Sequence, residues 1–436
     1  MWAHGNWEEN WADAALRVAA WDLPPAAPGG LVNGSFSLDA SGACGFLCDG
    51  FCQPASGATF ALSNLLAEVQ RPGDYYLNRS SGALVAIPPS PAWSPVASVL
   101  PVLFTATGAA NIVLAGLTLR HALAQLVSWT NCTNCSVVGG SLAFAGAQCM
   151  NVSGGTGSGV AGASVTGCGV GGVFLDGGDR AGLLPSGHYV RGSALHDFNR
   201  RVWDNAPGVY LMGVGAALVD SELHTAPHQA VYAQGNEHLV ARNYIHDVAL
   251  HACDSGAFYF GRDWTYRGNR VLNNTFANVN SDLGCNPWFS VTAVYADDGA
   301  SGLTVAGNRF VNVSRAIRAY GGRSHRILNN SATGVLYDFL QMDNLPGSCD
   351  APGSPQVARL QAVPYNTSAA WLAAYSAFPD NLPAILSQDP CNNHFDLVLN
   401  NTGCAVGGQL VVPHNASQLE AWGGVVSGNS VTSAPC

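Results

Sequence analysis

Ser193-Ala-Leu-His-Asp-Phe198, Ser221-Glu-Leu-His-Thr-Ala226, Asn243-Tyr-Ile-His-Asp-Val248, Asn274-Thr-Phe-Ala-Asn-Val279 and Asn308-Arg-Phe-Val-Asn-Val313 are copies of one short unit. A weaker copy, Asn330-Ser-Ala-Thr-Gly-Val335, closes the series, and successive copies start 28, 22, 31, 34 and 22 residues apart. A second register runs between them: Gly208-Val-Tyr210, Ala230-Val-Tyr232, Ala257-Phe-Tyr259 and Ala293-Val-Tyr295, with Arg318-Ala-Tyr320 as a degenerate fifth. Each repeat therefore holds at least two short strands separated by Gly/Asn/Asp turns. A minimum period near 22 with irregular insertions predicts an all-β chain folded as a right-handed parallel β-helix, coils stacked about 4.8 Å apart. The recurrent Asn reads as a ladder at a turn. The rival solenoid, a leucine-rich repeat, lacks its Leu-x-x-Leu-x-Leu pattern.

Working outward, Asn111 to Leu119, Asn134 to Leu142 and Gly159 to Gly167 read as earlier coils. The expected organisation is an irregular Trp- and Pro-rich leading region over 1–105, the β-helix over 106–344 and a Cys/Pro-rich cap over 345–436.

Composition narrows the function. All 18 basic residues of the 436 are Arg, and net charge is −10. The absence of Lys excludes a Schiff-base lysine, and unclustered cations exclude nucleic acid as a partner. No apolar run reaches the 18 or so residues of a membrane span. The leading residues show no charged-then-apolar signal, and a start placed too late or a truncated gene would account for that. Compartment is read instead from 13 Cys and from sequons at Asn33, Asn78, Asn131, Asn134, Asn151, Asn273, Asn312, Asn329, Asn366, Asn400 and Asn415, which favour a secreted glycoprotein. Cys132-x-x-Cys135 has no second pair at zinc spacing, so disulfides are expected rather than metal.

Period-two alternation turns Val209, Val231, Phe258 and Val294 inward, and Tyr210, Tyr232, Tyr259 and Tyr295 outward as a stack. Exposed aromatics along a groove suit sugar rings; covered by a loop, the same stack is only structural. Asp254 opens one strand, and Asp297 and Asp298 close the next coil's strand, with Asp297 on the face of Tyr295. Two carboxyls on adjacent coils fit glycoside hydrolysis, which uses a pair about 5–10 Å apart. Asp is also common in β-helix turns. His196, His224 and His246 occupy equivalent positions and should stack, as a turn ladder, a hydroxyl-binding row or a metal site; Pro227 argues against a zinc helix over His224 and His228.

The run His224-Thr-Ala-Pro-His228, Asp254-Ser-Gly-Ala-Phe-Tyr-Phe-Gly-Arg-Asp263, Tyr295-Ala-Asp-Asp298 and Gly321-Gly-Arg323 resembles the β-helical glycoside hydrolases that include α-L-fucosidase and xylanase activities. Asn64 to Asn78, Trp7 to Asp13 and Leu360 to Tyr365 extend the resemblance over most of the chain. It implies that Asp254 and Asp297 or Asp298 are acid/base and nucleophile. Departures are Asn78, where an acidic residue would precede Arg79, and Ser324-His325 after Gly-Gly-Arg. Members are usually longer at the amino terminus.

The resulting expectation is a monomeric glycosidase acting on a polysaccharide or oligosaccharide without cofactor or metal. Asp254, Asp297 and Asp298 are its catalytic candidates. His224, His228, Arg262, Asp263 and Arg323 would bind substrate over a Tyr232/Tyr259/Tyr295 platform. The alternatives are a polysaccharide lyase on a uronate, with His or Tyr as base, and a non-catalytic glycan-binding or wall protein.

Overall fold

A computed structural model describes residues 1–22, 34–38 and 53–436. The chain divides into two units, Met1–Ala97 and Ser98–Cys436. In the first, strands Trp2–Asn6, Asp13–Asp22, Ser35–Leu38 and Thr59–Ser63 form an antiparallel sheet over Ala3, Trp7, Ala14, Leu16 and Val18. The strands Tyr75–Asn78 and Ala83–Ala86 form a separate hairpin.

The second unit is a right-handed parallel β-helix of three sheets, each of 11 strands. Its coils begin with Val102–Thr107, Val113–Ala115 and Thr118–Ala122, one strand for each sheet. Strands of the second sheet are three residues long and most of the third three to five, and the second residue of each points inward. Val190, Leu218, Val240, Val271, Val305 and Ile327 stack inside the second sheet, and Leu195, Leu223, Ile245, Phe276 and Phe310 inside the third. One such side chain stabilises by about 1.5–3 kcal/mol when buried, too little to hold a lone coil, so stability accrues only between neighbours.

The corner between the second and third sheets is written locally. A left-handed residue (Asp220, Arg242, Asn273, Gly307, Asn329, Asn400, Gly428) precedes Ser221, Asn243, Asn274, Asn308, Asn330, Asn401 and Asn429. From Asn243 onward, each Asn backbone N–H and side-chain amide donates to the next coil's Asn Oδ1 at 2.9–3.0 Å. The expected asparagine ladder is present.

The solenoid does not end at residue 344. After the strand Leu340–Asp343 the chain makes an excursion to Asp396, then returns as Leu397–Leu399 and Thr402–Val406, and adds Val411–Pro413, Val425–Ser427 and Ser430–Val431. The expected cap is thus an insertion inside a coil followed by further coil; Pro and Cys marked the insertion and masked the returning strands. The excursion carries helices Pro355–Gln361 and Ala369–Tyr375, a core around Trp371, Leu360 and Ile385, and a fully buried Arg267–Asp380 pair at 2.5 Å that ties it to the solenoid.

Disulfides join Cys149–Cys168, Cys253–Cys285, Cys349–Cys391 and Cys404–Cys436. Cys132 and Cys135 are buried free thiols, and Cys44, Cys48, Cys52 and the Asn33 sequon lie outside the described residues. Among the described residues no helix is long and apolar enough to cross a membrane.

Candidate active site

Three successive strands of the first sheet, Gly256–Gly261, Thr292–Asp297 and Ile317–Tyr320, build the site. Their register sets Tyr259 against Tyr295 and Gly261 against Asp297, and puts Arg318, not Tyr320, beside Tyr295. The fifth aromatic repeat is therefore displaced by two residues from the expected alignment, and an arginine takes the tyrosine position. Asp254, with φ 47°, lies at a corner just before its strand, and Asp298, with φ 46°, at a corner just after its own.

Each outer carboxyl is held by the tyrosine of a neighbouring coil. Tyr295 Oη donates to Asp254 Oδ1 at 3.1 Å, and Tyr259 Oη donates to Asp297 Oδ2 at 2.6 Å. Arg318 Nη1 also donates to Asp254 Oδ1, at 2.6 Å, while its Nε donates to Asp343 Oδ2 at 3.3 Å. Gln341 fixes Asp343 from behind, Nε2 to Oδ2 at 2.7 Å. Asp298 donates its backbone N–H to Asp297 Oδ1 at 2.9 Å, and its carboxylate lies 3.5 Å from Arg262 Nε.

These contacts divide the acids. Burial raises the Asp297 pKa to about 7, helped by the charges of Asp298 and Asp254 and opposed by the Tyr259 hydrogen bond. Burial also raises Asp298, against the pull of Arg262 and Arg359. Tyr259 and Tyr295 are pushed far above the ordinary phenol range, first by burial and then by Asp297, which keeps both as donors. The cluster thus sets a carboxyl that keeps its proton near neutrality beside an arginine-paired carboxylate.

Of the other predicted residues Tyr232 joins the cluster, stacking on Tyr259 with centroids 5.3 Å apart, while the histidines, Asp263 and Arg323 do not. However, Tyr259 and Tyr295 are only 5% and 2% exposed, so the tyrosine stack supplies hydroxyls rather than an open platform for sugar. His224 belongs to the third sheet, between His196 and His246 with ring centroids 4.9 Å apart on either side. His228 is buried, 3.7 Å from Asp204 and 3.5 Å from Ser255. Asp263 is buried in a turn, accepting from Thr265 N and Oγ1 at 2.8 and 2.6 Å. Arg323 is buried and donates to the Gln388 and Asp389 carbonyls of the excursion. Only Arg262 of the predicted substrate-binding cations borders the acids.

Sequence reasoning passed over Arg318, Asp343 and Arg359. Arg359 comes from the excursion helix Pro355–Gln361 and donates to the Arg262 carbonyl at 2.7 Å. Arg318 was legible: Ala316-Ile-Arg-Ala319 repeats Ala293-Val-Tyr-Ala296 with Arg in place of Tyr. Among the described residues one cysteine–carboxylate grouping is tight enough for an ion, Cys349, Asp350 and Cys391, but its two sulfurs form a disulfide and offer no thiolate.

No protein-family model matches the chain, and no curated protein does. Solved structures do. One described as a glycoside hydrolase aligns with 78% of this chain and 68% of its own, at 12% identity and a TM-score of 0.50. The catalytic domain of a GH87 α-1,3-glucanase in complex with nigerose covers 76% of this chain and 64% of its own, at 9% identity and a TM-score of 0.40. A surface adhesin of Streptococcus pneumoniae covers 51% and 58%, at 10% identity and a TM-score of 0.29. At such identities the first likeness speaks for the fold, and the other two carry no argument.

Proposed function

We propose that this chain hydrolyses a glycosidic bond of a polysaccharide or oligosaccharide, with Asp297 as general acid and Asp254 as the nucleophile or base. The observation that carries the reading is the pair of crossed bonds, Tyr259 to Asp297 and Tyr295 to Asp254. They hold two carboxyls on adjacent coils in different charge environments. Asp297 keeps its proton up to about pH 7 and can deliver it to a leaving-group oxygen. Asp254 accepts from Arg318 as an ion-paired carboxylate and is free to attack carbon or to activate water. Asp298, beside Arg262, orients Asp297 through its backbone N–H and raises its proton affinity through its charge.

An elimination mechanism is less well supported, because it needs a base at C5 of a uronate. Tyr259 and Tyr295 hold their protons too tightly, His228 is buried, and His224 lies on another sheet. A secreted setting for a monomeric protein completes the reading; the four disulfides and exposed sequon residues such as Asn273, Asn329 and Asn400 support secretion. The test is a screen on neutral and uronate-containing glycans with products identified by mass. Saturated products whose formation disappears in both Asp254→Asn and Asp297→Asn support hydrolysis. Products absorbing near 235 nm indicate elimination, and binding without turnover indicates a lectin-like protein.

A further inference from the structure

Of the three tyrosines expected to carry the sugar, Tyr259 and Tyr295 are buried and Tyr232 is half-buried, yet two large aromatics stand in solvent beside the acids. Phe289 is 47% exposed and Trp288 41% exposed, both in the 3-10 turn Pro287–Phe289. The turn is firmly fixed. Cys253–Cys285 anchors its approach directly next to Asp254. Asn286 Oδ1 accepts from the Trp288 N–H at 2.8 Å. The buried Arg315 donates to the Pro287 carbonyl at 3.0 Å and to Ser290 Oγ at 2.9 Å. The Phe289 carbonyl accepts from the Asp254 N–H at 2.7 Å. Two adjacent exposed rings on a segment already fixed form an apolar patch that a ligand can cover without a further cost of ordering the chain.

The position is equally specific. The Arg318 guanidinium bonds Asp254 at 2.6 Å and lies 5.8 Å from the Phe289 ring centroid, so ring and carboxylate flank one cation. We propose that Phe289, with Trp288 beside it, is the wall of a sugar subsite, stacking on the apolar face of a glycosyl ring presented to Asp254. The identity of the occupant as a sugar rests on the hydrolase reading; the subsite itself rests on the turn. Aromatic packing of this kind changes affinity by roughly threefold to tenfold.

The experiment uses the whole chain and two readouts. Binding is measured on an array of neutral pento- and hexo-oligosaccharides and uronate-containing oligosaccharides, and by the part of the intrinsic tryptophan fluorescence change that Trp288→Phe removes. Kinetics follow on whichever array member is cleaved. Phe289→Ala should weaken binding about threefold to tenfold, raise KM accordingly and leave the pH-rate profile in place. Phe289→Tyr should restore both values, and Val113→Ala, an exposed apolar control on the second sheet of the first coil, should change neither. Binding by Phe289→Ala equal to wild type, or no glycan bound by wild type, overturns the subsite. A wild type that binds glycans through Phe289 but cleaves none keeps the subsite and removes the hydrolase.

Discussion

Tyr259 and Asp297 lie 38 residues apart in sequence and one coil apart in space, and the phenol Oη donates to Asp297 Oδ2 at 2.6 Å. That bond favours the charged carboxylate, while burial and the neighbouring aspartates favour the neutral acid and win. Replacing Tyr259 by Phe should therefore raise the Asp297 pKa further and move the alkaline limb of the pH-rate profile upward. Asp297→Asn should lower turnover by roughly 10²–10⁴-fold while the fold persists. An alkaline limb that stays put in Tyr259→Phe would remove Asp297 from the role of acid.

The same proton links stability to pH. Asp297 titrates near 7 in the folded protein and near 3.9 unfolded, so the folded state binds the extra proton between these values. Its contribution is full below about pH 4 and is lost as pH rises through about 7. Urea midpoints measured across pH 4–7 should fall less steeply in Asp297→Asn than in wild type. Parallel slopes would contradict the raised pKa.

Arg318 is 2% exposed at its side chain and serves two carboxylates, Asp254 and Asp343. Arg318→Gln removes the cation that bonds both, leaving Asp343 only the more distant charge of Arg315, and should cost about 3–5 kcal/mol, the scale for breaking a buried pair. Asp254→Asn should cost clearly less, because that side chain retains 28% exposure and can hydrate. Equal losses in chemical denaturation would show that Arg318 holds only Asp254.

On the far corner, Asn308 accepts from Asn274 N and Nδ2 at 2.9 and 3.0 Å and donates to the Val271 carbonyl and to Asn330 Oδ1. Asn308→Ala strands buried donors and acceptors in both neighbouring coils and should cost about 1–3 kcal/mol or more. Asn273→Gly, at the adjacent exposed left-handed position, should change stability by under about 0.5 kcal/mol. A ladder substitution as mild as this control would mean that water replaces the lost bonds.

The repeat unit was legible because a β-helix imposes its requirements locally. A central apolar residue, an amide after a left-handed corner and a tyrosine two strands away recur at matched positions, and each needs only its own coil to be recognised. The placement of Asp297 beside the tyrosine stack was legible for the same reason, since period-two alternation puts it on the face of Tyr295. Arg323, expected among the substrate-binding cations, is instead buried under the excursion, where it donates to the Gln388 and Asp389 carbonyls. The return of the solenoid after the excursion was hidden, because Leu397–Leu399 pairs with Arg326–Leu328 across a long insertion that destroys the period.

By itself the sequence determined the solenoid, its asparagine corner, the inward residues and the coils that carry the acids, since all of these follow from backbone periodicity and turn chemistry. Tertiary structure alone decided which tyrosines are covered, which arginine pairs with Asp254, that His228 and Arg323 are buried, and that the exposed ring next to the Arg318–Asp254 pair is Phe289 rather than Tyr259. Exposure and charge pairing depend on what the insertions at 280–291 and 344–396 lay over each coil, and those insertions obey no repeat.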